Sequence, residues 1–161
     1  MTPRHWAPTA SLARVDIVAG RRRWYMIFAR VHNRLLLWTN GRPSYPTPRL
    51  RCLVLETTGR RSGLSRRVAL LYMPDGEAFV VLASNFGQEY PPAWWLNLEV
   101  TPDAVVLLGG RRVRVRAREL QGEERASVLT RAIAYNKQWR AYAGVLRRPL
   151  PVVCLEPVMD G

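Results

Sequence analysis

The chain has 161 residues, 48% of them apolar and 23% charged, a length and balance that suit one globular domain and leave little room for a second. Its 25 Lys+Arg against 12 Asp+Glu give a formal charge of +13, carried almost wholly by arginine because Lys137 is the only lysine. Such an excess favours anions, whether nucleic acid, acidic lipid or a phosphorylated ligand, without choosing among them.

Met1 to Ala10 holds Pro3 and Pro8 and shows no periodicity, so it reads as a loose arm. It lacks the apolar run and small-residue cleavage site of a signal peptide, and a cytoplasmic setting is expected. From Leu12 to Trp38, residues Trp24, Ile27, Phe28, Val31, Leu35 and Trp38 recur at helical spacing with Arg21, Arg22, Arg23, Arg30 and Arg34 between them, which predicts an amphipathic helix closed by Gly41 and Pro43. Arg30, His32, Asn33 and Arg34 interrupt it too often for a membrane span. Two readings stay open for residues 12–38. The apolar face packs on the domain core, or the helix lies peripherally on the inner membrane face with its aromatic rings at headgroup level.

After Leu50 the texture changes to short β-rich runs. Cys52 to Leu55 leads through Thr57 and Thr58 to the turn Gly59-Arg60-Arg61-Ser62-Gly63, and Val68 to Tyr72 leaves it. Asp75-Gly76 marks a hairpin before Phe79 to Leu82. Pro91 and Pro92 open a short helix through Trp94, Leu96 and Leu98. Ala104 to Leu108 and Arg112 to Arg118 are strands about a Gly109-Gly110 turn. In the second of these, Arg112, Arg114, Arg116 and Arg118 share one face and Val113, Val115 and Ala117 the other. That cationic face is either solvated or a flank beside an anion site. Glu123 and Glu124 begin a helix where carboxylates suit the dipole, with Leu129, Ala132, Ile133, Asn136 and Trp139 along one stripe. Val152 to Leu155 is a last strand. The pattern predicts an α+β barrel of about six mainly antiparallel strands, with the N-terminal amphipathic helix and two further helices.

Cys52 and Cys154 are far apart, without a C-x-x-C and without His5 or His32 at ligand spacing, so no metal site and no disulfide framework is assigned. The segment with chemistry in it is the turn. Gly59 and Gly63 let the backbone fold tightly, expose N–H groups and aim two guanidinium groups at one anion. It lacks the spacing of a Walker A loop and of G-x-G-x-x-G. Read alone, an ordinary charged hairpin loop stands beside the phosphate-binding reading.

Ordered blocks over residues 50–157 resemble the deazaflavin-dependent nitroreductase family: Leu55 to Gly63 (L-E-T-T-G-R-R-S-G), Arg66 to Tyr72, Asp75-Gly76, Leu82 to Gly87 (L-A-S-N-F-G), Pro92 to Leu98 (P-A-W-W-L-N-L), Pro102, Gly109 to Arg111, Ala117 to Arg125 and Pro151 to Pro157. The resemblance implies a split β-barrel over residues 46–161, preceded by the arm and helix of residues 1–45, that binds coenzyme F-420 and passes a hydride to a quinone, nitro compound or activated alkene. FMN in the same barrel is the alternative cofactor. A non-enzymatic nucleic-acid-binding domain, suggested by the charge alone, is disfavoured because no helix-turn-helix, zinc finger or single-strand platform is seen; a membrane-surface domain without catalysis is a third reading. The oligomeric state is left open.

By position in the family's blocks, Arg60, Arg61, Ser62, Gly63 and Arg66 are expected to hold the anionic tail. Arg67, Val68, Ala69, Leu70 and Leu71, with Leu82, Ala83, Ser84 and Asn85, are expected along tail and ring, and Ala93, Trp94, Trp95, Leu96 and Asn97 to close the site. Asn136, Trp139 and Tyr142 match the acceptor side, Trp139 also touching cofactor, and Ser84 and Tyr142 are the candidate catalytic donors. Phe86 stands where the family tends to have glycine, and Asn136 and Trp139 replace tyrosines.

Overall fold

The computed structural model describes residues 31, 34–42 and 51–158. Residues 36–161 form one compact unit; residues 1–35 form another, of which only residues 31, 34 and 35, all helical, are described. Most of the predicted helix of residues 12–38 lies outside the described residues. Its end is seen at residues 34–38, where Asn40 (φ 52°) and Gly41 (φ 84°) turn left-handed and the Gly41 N–H reaches the Leu36 carbonyl at 2.8 Å, the usual glycine stop. No helix among the described residues is long and apolar enough to cross a membrane.

Seven strands follow: β1 Cys52–Thr58, β2 Ser65–Leu71, β3 Met73–Asp75, β4 Ala78–Leu82, β5 Asp103–Leu108, β6 Arg111–Glu119 and β7 Val152–Pro157. All pairings are antiparallel, in the order β2-β1-β5-β6-β7-β4-β3. The run read as one strand from Val68 to Tyr72 is thus continued by a second, β3, and the two lie at opposite edges of the sheet although Tyr72 alone separates them. A chain cannot span a flat sheet of seven strands in one residue, at about 3.3 Å of rise per residue. The sheet therefore curls until its edges meet at Tyr72. Two of the hairpins carry the glycines that their turns demand: Gly109 and Gly110 are both left-handed (φ 59° and 84°), and Gly76 (φ 61°) opens the two-residue loop between Asp75 and Ala78.

Strand alternation sorts the apolar residues into two cores. Inward-facing Leu53, Leu55, Val81, Ala83, Val115, Val153 and Leu155 fill the barrel together with Tyr72, whose ring meets Phe79 edge-on at 5.4 Å. Outward-facing Val80, Leu82, Val152 and Cys154 lie under two helices, α2 (Gly122–Tyr135) and α3 (Lys137–Val145). Those two were read as one continuous stripe. Asn136 breaks it, with an extended backbone (φ −132°, ψ 115°) and a side chain that accepts the Gln138 N–H at 2.8 Å, an N-cap that starts a new helix. On the far side of β1, Cys52 and Val54 pack with Ala69, Leu107 and Leu36. This strand is buried on both faces, which explains its unbroken apolar run. The helix α1 (Ala93–Val100) sends Trp94, Trp95 and Leu98 into the barrel core.

Candidate functional site

Six residues, 59–64, connect β1 to β2 beyond the Thr58–Ser65 pair. The Gly59 N–H donates to the Leu64 carbonyl at 2.8 Å, and the N–H groups of Ser62 and Gly63 both point back to the Gly59 carbonyl at 3.1 and 2.7 Å. Gly63 is left-handed (φ 66°). Ser62 Oγ accepts the Leu64 N–H at 3.3 Å and is met by Arg66 Nη2 at 3.5 Å. The turn largely closes on itself: the Gly59, Ser62, Gly63 and Leu64 N–H groups are bonded within it and the Arg60 N–H is taken by Asn97. Most of the backbone donors expected for an anion are thus already engaged, and the guanidinium groups of Arg60, Arg61 and Arg66 are what the hairpin presents to the cavity beneath it.

Below the turn lies a cavity of about 340 Å³. Arg60, Arg61, Ser62 and Arg66 line it from the hairpin, with Val68 and Arg67 further along β2. Ala93, Trp94 and Asn97, a single face of α1 by their one-turn spacing, line the opposite wall. Gly59, at the head of the turn, and Thr57, which was not predicted, complete it. No carboxylate is among these residues. The hub is Asn97, only 5% exposed. Its Oδ1 accepts the Arg60 N–H at 3.1 Å and Arg60 Nη1 at 3.4 Å, and its Nδ2 donates to the Thr57 hydroxyl at 3.1 Å.

The remaining predicted cofactor residues divide by the pleat. Leu70 faces the barrel core as Val68 does, whereas Ala69 packs on the opposite face and Leu71 joins the outer clusters. Arg67 also turns outward: its Nε meets Glu56 at 2.7 Å and its Nη1 the Asn40 side chain at 3.2 Å. Gly63, Trp95 and Leu96 do not line the cavity; Trp95 is buried with its ring edge-on to Trp94. Arg112 shares Glu56 at 3.0 Å. Burial pushes the Glu56 carboxyl up, but hydrogen bonds from Arg112 and Arg67 outweigh it and hold the group below its ordinary range. The arginine face of β6 is likewise bound to carboxylates. Arg116 meets Asp103 at 3.3 Å, and Arg118 pairs with Glu124 and Glu156 at 2.8 and 3.0 Å. This stripe is a ladder of ion pairs on the outer face, not a cationic flank of the cavity.

The second predicted group gathers around the turn after β4. Leu82 faces the outer core beside Trp139, and Ala83 the barrel interior. Ser84 is 9% exposed. Asn85, Phe86 and Gly87 then adopt φ of 45°, 56° and 80° in succession, and for a bulky side chain such a backbone costs about 1–3 kcal/mol. Helix α3 packs against this turn, with the Tyr142 ring next to Gly87. Ser84 and Tyr142 are therefore brought to one locality. Trp139 is buried at 3% among Leu82, Val128, Ala132 and Val152, and Asn136 is the buried cap between α2 and α3.

Sequence reasoning missed Arg148. Its guanidinium donates from Nε to the Gln88 carbonyl at 3.1 Å, from Nη2 to the Ala83 and Ser84 carbonyls at 2.9 and 3.3 Å, and from Nη1 to the Pro149 carbonyl at 3.1 Å. It grips both ends of the strained turn. In the sequence Arg147-Arg148-Pro149 resembles any exposed basic pair, and carbonyl partners some 60 residues away leave no local signal.

The profile of the family described as F420H(2)-dependent quinone reductase matches residues 28–157. An F420H(2)-dependent quinone reductase of Mycobacterium tuberculosis is 32% identical over 130 residues, 78% of this chain and 87% of the relative. Among solved structures, an F420-H2 dependent reductase designated FDR-A superposes with a TM-score of 0.60 at 29% identity, over 65% of this chain and 93% of that one. Another, described as a domain-swapped dimer, superposes at 0.63 with 25% identity, over 89% of this chain and 99% of its own. With its profile match over four fifths of its length and its split-barrel fold, the chain belongs to the F420H(2)-dependent quinone reductase family.

Proposed function

We propose that this protein is an oxidoreductase that transfers a hydride from reduced coenzyme F-420 to a quinone, and that the cavity beneath the Gly59–Gly63 turn holds the cofactor's anionic tail. One observation carries the tail assignment. Glu56, Asp75, Asp103, Glu124 and Glu156 are all paired with arginines elsewhere, while Arg60, Arg61 and Arg66 surround a cavity with no carboxylate in its wall. Three guanidinium groups with no acidic partner among the described residues suit phosphate and carboxylate groups.

When bound, the deazaflavin supplies the hydride, so no protein nucleophile is required. The chain's own residues bind and orient. Arg60, Arg61 and Arg66 neutralise the tail; Asn97 fixes the Arg60 backbone; Val68 and Trp94 give the cavity an apolar wall. Ser84 and Tyr142, on either side of the strained turn, supply hydroxyl donors toward an acceptor oxygen that gains charge. The family, the Mycobacterium tuberculosis relative and the FDR-A structure carry F-420 in their descriptions and lend FMN no support.

Titration of the purified protein with F-420, followed by its fluorescence, tests the reading. Saturable binding at micromolar concentration that FMN does not displace is the expected result; no saturable binding overturns it. A peripheral meeting with a membrane, as a source of lipid-soluble quinone, extends the proposal, and its support is the Trp38 ring at 82% exposure. Co-sedimentation with acidic vesicles, lowered by Trp38→Ala, is the corresponding result; binding unchanged by that substitution removes the extension.

A further inference from the structure

Among the described residues, the non-glycine residues with positive φ are Asn40, Asn85 and Phe86. Asparagine tolerates that region because its side chain bonds locally; phenylalanine has no such means. Something must hold Phe86 there. Two devices do. Asn85 Nδ2 donates to the Tyr90 carbonyl at 3.1 Å, and Arg148 fixes the Ala83, Ser84 and Gln88 carbonyls that flank the turn. Among the described residues, Arg148 donates to backbone oxygens and meets no carboxylate.

Core packing does not account for the conformation. Phe86 belongs to none of the three apolar clusters, and its ring is 37% exposed. Ser84, by contrast, is buried, and Gly87 lies against the Tyr142 ring. The turn thus keeps an aromatic ring out of the core and within two residues of Ser84, where a glycine would satisfy the backbone better. Strain that packing does not offset is characteristic of sites that act on a ligand.

We propose that the turn from Ser84 to Gln88 is a platform, locked by Arg148, that presents the Phe86 ring to a flat conjugated hydride acceptor, so that Phe86 selects ring-shaped acceptors such as quinones over small aliphatic ones. The inference rests on the reductase reading above. Phe86 is a specificity residue that touches the acceptor by stacking; Arg148 is a positioning residue that acts through the turn.

The test uses the full chain with Phe86→Gly and Arg148→Lys. Phe86→Gly removes the ring and relieves the backbone, so the cofactor-free protein melts at an equal or higher temperature. Its F-420 affinity stays within about 2-fold, and kcat/KM for a naphthoquinone falls roughly 3- to 10-fold, mainly through KM. For cyclohexenone, a small activated alkene, kcat/KM stays within about 2-fold. Arg148→Lys keeps the charge but loses the planar fork; it speeds amide hydrogen exchange over residues 84–88 in the cofactor-free protein and, because the turn also carries Ser84, lowers kcat/KM for both acceptors, for the naphthoquinone the more. Equal loss with both acceptors, no loss, or a gain with the naphthoquinone in Phe86→Gly overturns the platform. So does unchanged exchange in Arg148→Lys, which leaves the turn without its lock. If the unmodified protein does not bind F-420 at all, the reductase reading falls and this inference falls with it; intact F-420 binding with any of the other contrary results defeats the inference alone.

Discussion

Asn97 Oδ1 accepts the Arg60 backbone N–H at 3.1 Å across the cavity, joining α1 to the turn that carries two of the three unpaired cavity arginines. The same side chain donates to Thr57 at 3.1 Å. Replacing it with leucine strands a buried hydroxyl and frees the turn, at a cost of about 1–3 kcal/mol in chemical unfolding. Asn97→Asp is the sharper variant. It keeps an acceptor for Arg60, so stability falls less, but it sets a carboxylate in a cavity suited to anions, so F-420 affinity falls further than in Asn97→Leu. Urea melts beside F-420 titrations separate the two effects.

Adjacent arginines on β2 have opposite fates because the pleat alternates. Both border the cavity, but the Arg66 guanidinium stays there beside Ser62, while that of Arg67 is committed to Glu56 and Asn40 on the outer face. Arg66→Gln is expected to weaken F-420 binding about 10-fold, a typical loss for one charge-assisted contact, and to flatten its dependence on salt. Arg67→Gln leaves the affinity within about 2-fold. Reversed magnitudes would place the tail on the outer face of the sheet.

That contrast also shows what the sequence conveys and what it hides. The hairpins at Gly76 and at Gly109-Gly110 are legible because two-residue turns require left-handed residues, and the tight turn between β1 and β2 is legible from Gly59 and Gly63. The separation of β2 from β3 is not, since Val68 to Met73 is one apolar run and its break at Tyr72 exists only because the sheet closes. Asn136 sits on the apolar stripe and reads as helix; its role as a cap depends on the Gln138 N–H. Alternate side chains of a strand face opposite ways, and of the run Arg67 to Leu71 it is Arg67 and Val68 that border the cavity. Arg148 is hidden altogether, as backbone carbonyls have no residue type.

Glu56, with 17% of its side chain exposed, is held by Arg67 and Arg112. Its carboxyl lies below the ordinary glutamate range, because hydrogen bonds and charge from Arg112 and Arg67 together exceed the upward push of burial. A carboxylate whose pKa is lower in the folded chain adds stability above its unfolded pKa, and that stability is lost as pH falls through the folded value. Asp75 behaves likewise through Arg131 at 2.8 Å. Thermal melts of Glu56→Gln against the unmodified protein should differ fully above about pH 5, with the variant the less stable, and converge as pH falls through the lowered pKa of the folded Glu56 carboxyl. A constant gap across that window would assign the loss to packing and not to the charge.

Gly59 and Gly63 support the same turn for different reasons, and their substitutions should differ accordingly. A Cβ on Gly59 would lie 2.8 Å from Ser62 Oγ and 3.1 Å from the Leu64 carbonyl oxygen, so Gly59→Ala displaces the side chain that meets Arg66 and loosens the cavity's rim. At Gly63 nothing lies within 4 Å of an added Cβ, and the constraint is the backbone alone, at φ 66°. Gly63→Ala costs about 1 kcal/mol in a left-handed position, and Gly63→Asn less, because asparagine enters that region readily. Both Gly63 variants should retain F-420 affinity when folded, whereas Gly59→Ala should weaken it without altering any charge. Equal affinities in all three would mean that the arginines find the tail without the turn's geometry, and electrostatics alone would then account for the site.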